Sequence, residues 1–365
     1  MSEYAQRVSA LRERLSAGGW EAALLTSPAA ICYLTGFRTD PMERFLGLWV
    51  AAGRQAVLLV PQLDEGKADS AAAGLRKVVV PDEWSPQEAL RQACGTCSSR
   101  LGVDKRALSW HLAEQLQSLW PDAALGDIGP VIRRMMGSKS REEADCVRQA
   151  ARVADRALEA ALGAFREGMR EWELAEEIVR QIRRAGGEGP AFGPTVVSGR
   201  KTALPHAQTG DEPIRAGDLL IVDMGVTCRH YASDMTRTFL VGAGNAEQTR
   251  LYETVLEANR RAVDAVRPGV PLADIDAAAR RVIEASGCGR HFIHRVGHGL
   301  GMDIHEEPSI HGRNRDVVLP GMLFTVEPGI YVPGVGGVRI EDDVYVRDSG
   351  ETELLTAFPR ELRRL

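Results

Sequence analysis

The sequence predicts an α+β protein of two domains, in which a small α/β domain precedes a larger domain built from two similar halves. Length supports two domains, because 365 residues are too many for one domain of typical size. Short helical and strand patterns alternate up to about residue 128 and indicate the α/β domain. An internal repeat, whose two copies lie 101 residues apart, indicates the paired halves.

The N-terminal part contains short apolar runs separated by turn residues. Residues 5–17 have the spacing of an amphipathic helix, and residues 22–25, 31–34, 48–51 and 56–60 are predicted strands. Gly129-Pro130 interrupts the pattern, so the predicted domains are 1–130 and 131–365. Ser140 and Glu143 then form a capping box, which predicts a long helix to about Phe165.

The two copies of the repeat are helical segments, each bounded by glycines. Gly168 corresponds to Gly269, and Gly186 corresponds to Gly287. Each segment is followed by strand-like residues that carry two spaced carboxylates. Two interpretations stand at this point: unrelated amphipathic helices with glycine at their ends, or equivalent halves that face a shared site.

Composition excludes several classes of protein. The net charge of −5 gives no basic surface for nucleic acid. No apolar run approaches the roughly 20 residues that span a bilayer, and the N-terminus lacks the features of a signal peptide. The six cysteines are dispersed, and the single C-x-x-C, Cys94 and Cys97, has no second pair to complete a zinc site. We therefore expect a cytoplasmic protein with no nucleic-acid or membrane partner.

Four acids in strand-like segments are the main chemical feature. Asp223 lies in the apolar run 219–224, and Asp234 lies in the next predicted strand. A hairpin centred near residues 228–229 would place them opposite each other, with β-carbons about 4.5–5.5 Å apart. A second hairpin centred on Gly334 would place Glu327 opposite Glu341 in the same way.

Carboxylates this close repel each other and need a proton or a cation between them. The glycine-rich segment 295–305 adds His298 and His305. Four acids and one histidine suit two divalent cations, with Mn²⁺ expected first and Co²⁺, Zn²⁺ or Fe²⁺ as alternatives. Two such ions about 3.5–4 Å apart can share a hydroxide as the nucleophile. The alternative for any single acid is a buried ion pair.

The segments VDMG, YASDMTRT, HRVGHGLGMDIHEEP, FTVEPGIY and GVRIED resemble those of the prolidase, aminopeptidase P and methionine aminopeptidase superfamily. The resemblance covers about residues 140–360 and implies the pita-bread fold. A looser match at 27–37 extends into the N-terminal domain, which methionine aminopeptidases usually lack. The resemblance therefore favours a metal-dependent Xaa-Pro peptidase, expected to be a homodimer.

The resemblance also implies roles for individual residues. Asp223 would bind one metal ion, His298 and Glu327 the other, and Asp234 and Glu341 both. Glu327 would in addition carry the proton of the attacking water towards the leaving nitrogen. His206 and His305 match histidines near the scissile bond and could stabilise the oxyanion; the alternatives are a loop histidine and a packing residue.

Four further residues are weaker candidates. Arg339 and Thr236 share strand faces with Glu341 and Asp234 and could support them. His294 could hydrogen-bond within the pocket, and Tyr231 could line it. For all four, packing or solvation is an equal alternative.

A dipeptidase must also bind the free carboxylate of proline, for which an arginine is suited. Some prolidases have an arginine four residues after the histidine that matches His305, but Ser309 stands there in this chain. Arg44 is the candidate that replaces it, unless it only pairs with Glu43 or Asp40; Arg313 and Arg315 are also near in sequence.

The preferred hypothesis is hydrolysis of Xaa-Pro dipeptides, as by a prolidase. Its alternative is an Xaa-Pro aminopeptidase that acts on longer proline-containing peptides. A metal-free hydrolase of the creatinase type and a non-catalytic peptide-binding module are disfavoured, because all five expected metal ligands are present.

Overall fold

The computed structural model describes residues 2–71 and 75–365. The chain divides into two units, Met1–Met136 and Gly137–Leu365. The division falls later than the expected position near residue 130, because Gly129 and Pro130 begin a helix rather than a linker. Proline is tolerated in the first turn of a helix, where its missing N–H would have no intrahelical partner.

The first unit alternates helices and strands, as predicted. Its elements are α1 (Glu3–Ala17), β1 (Ala22–Leu25), α2 (Pro28–Thr35), β2 (Gly47–Ala51), β3 (Val57–Pro61), α3 (Glu65–Ala71), β4 (Arg76–Val80), α4 (Pro86–Cys94), β5 (Arg100–Val103), α5 (Trp110–Leu119), β6 (Ala124–Asp127) and α6 (Gly129–Gly137). The strands form one mixed sheet in the order β4-β3-β2-β1-β5-β6. All six cysteines of the chain are buried free thiols, including Cys94 and Cys97.

The strand expected at residues 31–34 is wrong, because these residues belong to α2. The Ser27 side chain caps this helix, Pro28 occupies its first turn, and Gly36 ends it with a φ of 72°. These are standard helix boundary residues. The apolar run between them is buried throughout and therefore lacks the periodicity that would separate a helix from a strand.

The second unit consists of two halves, each with two helices followed by antiparallel strands. The first half contains α7 (Arg141–Gly163), α8 (Glu171–Arg184), β7 (Gly189–Pro190), β8 (Thr195–Ser198), β9 (Leu219–Met224), β10 (Val226–Cys228), β11 (Tyr231–Ala232) and β12 (Met235–Leu240). The second half contains α9 (Ala246–Ala265), α10 (Leu272–Ala285), β13 (Gly297–Gly299), β14 (Glu306–Ile310), β15 (Leu323–Val326), β16 (Gly329–Val332), β17 (Gly336–Arg339), β18 (Asp342–Val346) and β19 (Thr352–Leu354). The capping box predicted for α7 is present.

The internal repeat corresponds to equivalent helices in the two halves. Both α8 and α10 have 14 residues, and their first residues, Glu171 and Leu272, are offset by the 101 residues found in the sequence. Gly168 and Gly269, which precede the helices, have φ values of 86° and 85°, where L-residues are disfavoured. The interpretation as two structurally equivalent halves is therefore confirmed.

Each half of the second unit has its own apolar core. One core packs α7 and α8 against β9 and β12, and the other packs α9 and α10 against β15 and β18. Within the described part of the chain, no helix is both long enough and apolar enough to cross a membrane.

Candidate active site

A cavity of about 570 Å³ lies between strands of the two halves of the second unit. We refer to this cavity as the cleft. Residues of both halves line it, which places the candidate site where the repeat predicts a shared one. Its lining includes nine of the residues predicted from the sequence: His206, Asp223, Asp234, His294, His298, His305, Glu327, Arg339 and Glu341.

The first acidic hairpin differs from the expected register. Asp223 pairs with Thr236 rather than with Asp234, so the hairpin is centred between Arg229 and His230. Asp234 lies in the short interval between β11 and β12, diagonal to Asp223. A shift of the partner by two residues keeps the same face of the sheet, and both acids still line the cleft.

The turn of this hairpin explains the difference. Arg229 and His230 both have positive φ values, 48° and 72°, as a two-residue hairpin turn requires. Glycine or asparagine usually marks such turns, and neither is present here. The backbone N–H of Arg229 donates to Glu188 Oε1 at 2.6 Å, which stabilises the turn.

The second acidic hairpin has the expected register. Val326 pairs with Asp342, and Gly329 pairs with Arg339, so both flanking ladders place Glu327 opposite Glu341. Gly334, at the centre of the turn, has a φ of 86°. The prediction for this hairpin is confirmed.

His298 points its Nε2 atom at the acids. Its Nδ1 atom lies 3.1 Å from the carbonyl of Gly299, and its Nε2 lies 3.8 Å from Asp234 Oδ2 and 3.5 Å from Glu327 Oε1. One ligand atom each from Asp234, His298 and Glu341 lie within 4.8 Å of one another. Burial lowers the pKa of His298 to about 3, so the imidazole is neutral and able to donate a lone pair.

The electrostatics of the acids fit a cationic ligand. Burial, together with repulsion between neighbouring carboxylates, raises the pKa of Asp234 and Glu341 well above the ordinary values. Burial also raises the pKa of Glu327 to about 7. Asp223 Oδ1 and Asp234 Oδ1 are buried without a hydrogen-bond partner among the described residues. Unpaired carboxylate oxygens beside an imidazole are a donor set that suits divalent cations.

Arg339 connects several residues of the cleft. Its Nη2 donates to Asp223 Oδ2 at 2.6 Å, and its Nε donates to Thr236 Oγ1 at 3.1 Å. Thr236 Oγ1 in turn donates to Glu341 Oε2 at 2.7 Å. Arg339 and Thr236 thus contact two of the predicted metal ligands and orient their carboxylates.

Three of the four histidines that line the cleft lie within residues 294–305, and the fourth, His206, lies on a separate segment. The rings of His298 and His305 meet edge to face with centroids 4.3 Å apart. His294 Nε2 lies 3.1 Å from the hydroxyl of Tyr331, a cleft residue that the sequence did not single out. His206 is exposed at the cleft on the segment that follows β8.

Tyr231 is not among the described residues that line the cleft, so its prediction as a pocket residue is wrong. Its hydroxyl donates to Glu143 Oε1 of α7 at 2.6 Å. The alternation of a strand sends neighbouring side chains to opposite faces, and this tyrosine packs on the helix side.

Arg44 has carboxylate partners within the first unit. Its Nε and Nη2 atoms donate to the two oxygens of Asp82 at 2.8 and 3.2 Å, and its Nη1 lies 2.8 Å from Glu43 Oε1. The ion pair with Glu43 is the alternative that the sequence predicts for this arginine. The other carboxylate partner of Arg44 is Asp82, and not Asp40.

Arg295 is a cleft residue that the sequence analysis did not assign. It lines the cleft, and its Nη1 donates to Ser309 Oγ at 3.1 Å. Ser309 pairs with His298 in the sheet, so this guanidinium approaches the position where some prolidases carry their arginine. Among the described residues, no carboxylate lies within ion-pair distance of Arg295. Only the tertiary structure reveals this, because Arg295 precedes β13 while Ser309 belongs to β14.

Both units match known families. Residues 7–135 match the Creatinase/Prolidase N-terminal domain, and residues 145–348 match Metallopeptidase family M24. A relative from Bacillus subtilis (strain 168), the "Putative dipeptidase YkvY", is 35% identical over 98% of this chain and 99% of its own length.

Solved structures share the complete architecture. The prolidase from Thermococcus sibiricus has a TM-score of 0.94 and 33% identity, with full coverage of both chains. The X-Pro aminopeptidase from Thermotoga maritima has a TM-score of 0.84 and 28% identity, covering 97% of this chain and 99% of its own. The chain therefore belongs to metallopeptidase family M24, with the creatinase/prolidase N-terminal domain and the pita-bread fold, and is a metal-dependent peptidase.

Proposed function

We propose that this protein hydrolyses Xaa-Pro peptide bonds and prefers dipeptides. The observation that carries the proposal is the convergence, in one cleft, of five potential metal ligands, three further histidines and an arginine without a carboxylate within ion-pair distance. The first two groups suit hydrolysis of a peptide bond, and the arginine suits a substrate that ends in a free carboxylate.

The five residues proposed to hold two divalent cations are Asp223, Asp234, His298, Glu327 and Glu341. Mn²⁺ is the ion expected first, with Co²⁺, Zn²⁺ or Fe²⁺ as alternatives. Such ions, when bound, lower the pKa of water and polarise the substrate carbonyl. Thr236 and Arg339 keep the carboxylates oriented through the hydrogen bonds described above.

The remaining chemistry requires proton transfer and stabilisation of negative charge. Glu327 lines the cleft and is the proposed acceptor of the proton from the attacking water, which it passes to the leaving nitrogen. His206 and His305 reach the same cleft from separate segments and are the proposed hydrogen-bond donors to the oxyanion. His294 and Tyr331 complete the wall beside Arg339.

Arg295 is the proposed site for the carboxylate of proline. Arg44 already binds Asp82 and Glu43, and Arg339 binds Asp223. Arg313 and Arg315 are not among the described residues that line the cleft. Arg295 donates to the neutral hydroxyl of Ser309, and no carboxylate of the described residues lies within ion-pair distance of it. A guanidinium in this state can form a bidentate pair with an incoming carboxylate.

The relatives support an Xaa-Pro peptidase and leave one alternative. The similar structures include both a prolidase and an X-Pro aminopeptidase, so cleavage of longer peptides is the second candidate. The homodimer, the cytoplasmic location and the identity of the metal stay predictions.

The direct test is steady-state hydrolysis with added Mn²⁺. Leu-Pro, Leu-Pro-Gly and Leu-Ala would be compared at equal concentrations of protein. We expect Leu-Pro to have the highest kcat/KM and Leu-Ala to be cut poorly. Faster cleavage of Leu-Pro-Gly would instead assign an Xaa-Pro aminopeptidase. No cleavage of either proline peptide by the metal-loaded protein would overturn the proposal in favour of a binding module.

A further inference from the structure

Glu171, the first residue of α8, is a buried acid outside the cleft. Its side chain has no exposed surface, yet it accepts four hydrogen bonds. The donors are Ser198 N at 2.7 Å, Ser198 Oγ at 3.1 Å, Lys201 Nζ at 2.6 Å and Gly210 N at 2.9 Å. These four donors, one of them the ammonium group of Lys201, provide partners for both oxygens of a side chain that burial removes from water.

These donors bracket one segment of chain, residues 198–210, which we call the His206 segment. Ser198 is its first residue, Gly210 is its last, and Lys201 lies between them. The single carboxylate of Glu171 therefore fixes both ends of the segment relative to α8. Lys201 Nζ also lies 2.9 Å from Glu212 Oε2, which limits the movement of its side chain.

A further contact fixes the middle of the His206 segment to the second half. Thr202 is fully buried, and its Oγ1 donates to the carbonyl of Gly199 at 2.6 Å. The same oxygen accepts the N–H of Gly337 at 2.8 Å, on the strand that carries Arg339. His206 itself forms no hydrogen bond with any described residue, so the backbone of this segment determines where its imidazole lies.

The internal repeat shows that packing alone does not require an acid at this position. The counterpart of Glu171 at the start of α10 is Leu272, which is also fully buried. An apolar side chain thus satisfies the equivalent site in the second half. Burying a charge costs free energy unless it is paired. Glu171 differs from Leu272 in that its side chain binds residues of the His206 segment.

We infer that Glu171 is a positioning residue, which holds His206 at the cleft by binding the backbone and lysine of residues 198–210. This inference rests on the proposed role of His206 in peptide hydrolysis. Glu171 does not touch the cleft and acts only through the segment.

The segment that carries His305 has a similar ion pair, which supplies a control. Lys139 Nζ donates to Glu306 Oε2 at 2.8 Å, and both side chains are buried. Glu306 Oε1 also accepts the N–H of Asp303 at 3.2 Å. The two histidines thus depend on separate ion pairs, and each pair can be altered without the other.

The kinetic test is a double-mutant cycle. Glu171→Gln keeps the size of the side chain, but its amide nitrogen cannot accept a hydrogen bond. The donors at one of the two oxygen positions, either Ser198 or Lys201 with Gly210, therefore lose their acceptor. We expect kcat/KM for Leu-Pro to fall about 10–100-fold, because a displacement of the His206 imidazole by about 1 Å would weaken its contact with the reacting group. In a His206→Ala background the same change should cost less than about threefold, because no positioned imidazole remains. Glu176→Gln, an exposed site on the same helix, should have no effect in either background.

The second measurement does not depend on activity. The chain has eight histidines, and ¹³Cε1–¹H spectra of the metal-free protein can report on each. His206→Ala would identify the His206 resonance by its loss. Glu171→Gln should shift or broaden that resonance and leave His305 unchanged, whereas Lys139→Met should do the reverse. Lys201→Met should reproduce the effect on His206 if Glu171→Gln does not fold.

The outcomes separate this inference from the proposed function. Equal losses of activity from Glu171→Gln in both backgrounds would overturn the positioning role, as would an unmoved His206 resonance. If the wild-type protein cleaves no proline peptide, the proposed function fails, while the resonance still decides whether Glu171 positions His206.

Discussion

Glu327 lies directly opposite Glu341 at a point where neither residue belongs to a strand. The ladder of β15 and β18 stops at the pair Val326 and Asp342, and that of β16 and β17 starts at Gly329 and Arg339. Asp234 occupies a similar break between β11 and β12. Three of the proposed metal ligands thus lie at interruptions of ladders whose register continues on both sides. The flanking strands fix the backbone, while the breaks free these side chains from the strict alternation of a strand.

Asp234→Asn is expected to stabilise the metal-free protein and abolish metal binding. Burial first, and the charge of Glu341 second, raise the pKa of Asp234, so its ionised form is unfavourable without a cation. The amide removes this repulsion and should raise the free energy of unfolding by about 1–2 kcal/mol.

Thermal unfolding with and without Mn²⁺ tests this expectation. Mn²⁺ should raise the Tm of the wild type, because a free Mn²⁺ concentration of 100 times Kd stabilises the folded state by about 2.7 kcal/mol. The Tm of the variant should not change with Mn²⁺. Activity should fall about a hundredfold or more, since even partners of ligands contribute 10–100-fold. If the variant binds Mn²⁺ as tightly as the wild type, Asp234 is not a metal ligand.

The two hairpins show how far sequence determines the candidate site. Gly334 marks the centre of the second hairpin, because only glycine adopts its φ without strain, and the opposition of Glu327 and Glu341 follows. In the first hairpin, Arg229 and His230 take positive φ values, with help from Glu188, which lies far away in the sequence. No local pattern predicts that turn, so the position of its centre could not be predicted.

The choice of arginine shows a second limit. The sequence around Arg44 favours it as the carboxylate site, but its guanidinium is paired with Asp82, which lies 38 residues away in the sequence. Arg295 stands in a motif that the sequence did identify, yet its availability depends on which acids lie near it in space. Motifs thus predicted the fold and the acids and histidines that meet in the cleft, whereas the pairing of long cationic side chains required tertiary contacts.

Arg295→Ala is expected to raise KM for Leu-Pro about 10–100-fold with little change in kcat. The reason is the loss of a charge-assisted hydrogen bond of about 1.5–3 kcal/mol to the substrate carboxylate. KM for Leu-Pro-Gly should change less, because its carboxylate lies one residue further along. Arg44→Ala is the matched variant; if it raises KM for Leu-Pro instead, the carboxylate site belongs to Arg44.

Gly297→Ala is expected to disturb the strand that carries His298. A β-carbon at Gly297 would lie 1.9 Å from the carbonyl oxygen of Thr325, so β13 must move away from β15. We expect a loss of about 2–4 kcal/mol of stability and weaker binding of Mn²⁺, measured by urea unfolding and metal titration. Gly163→Ala, at the end of α7, meets nothing within 4 Å and should change stability by about 1 kcal/mol or less. Equal behaviour of the two variants would contradict this steric account.

Glu353 should make the stability of the protein depend on pH in the acid range. Arg148 donates to its two carboxylate oxygens at 2.9 Å, and Arg347 Nε donates to Oε2 at 3.0 Å. The hydrogen bonds from Arg148, more than those from Arg347, lower the pKa of Glu353 from 4.5 to about 2. Because the folded pKa lies below the unfolded one, the ion pairs stabilise the protein fully above about pH 4.5, and this contribution is lost as the pH falls towards 2.

Glu353→Gln tests the size and the sign of this effect. The full shift would correspond to about 3 kcal/mol, which partial exposure reduces to about 1–2 kcal/mol at pH 7. Urea unfolding of the metal-free proteins should show this difference at pH 7 and a smaller one at pH 3. At pH 3 the unfolded chain carries Glu353 protonated, so the folded protein gains less from keeping it ionised. Glu351→Gln alters a more exposed partner of Arg347 and should cost less than about 0.5 kcal/mol at either pH. A difference between Glu353→Gln and the wild type that stays constant from pH 7 to pH 3 would show that packing, rather than the charge on Glu353, stabilises this part of the fold.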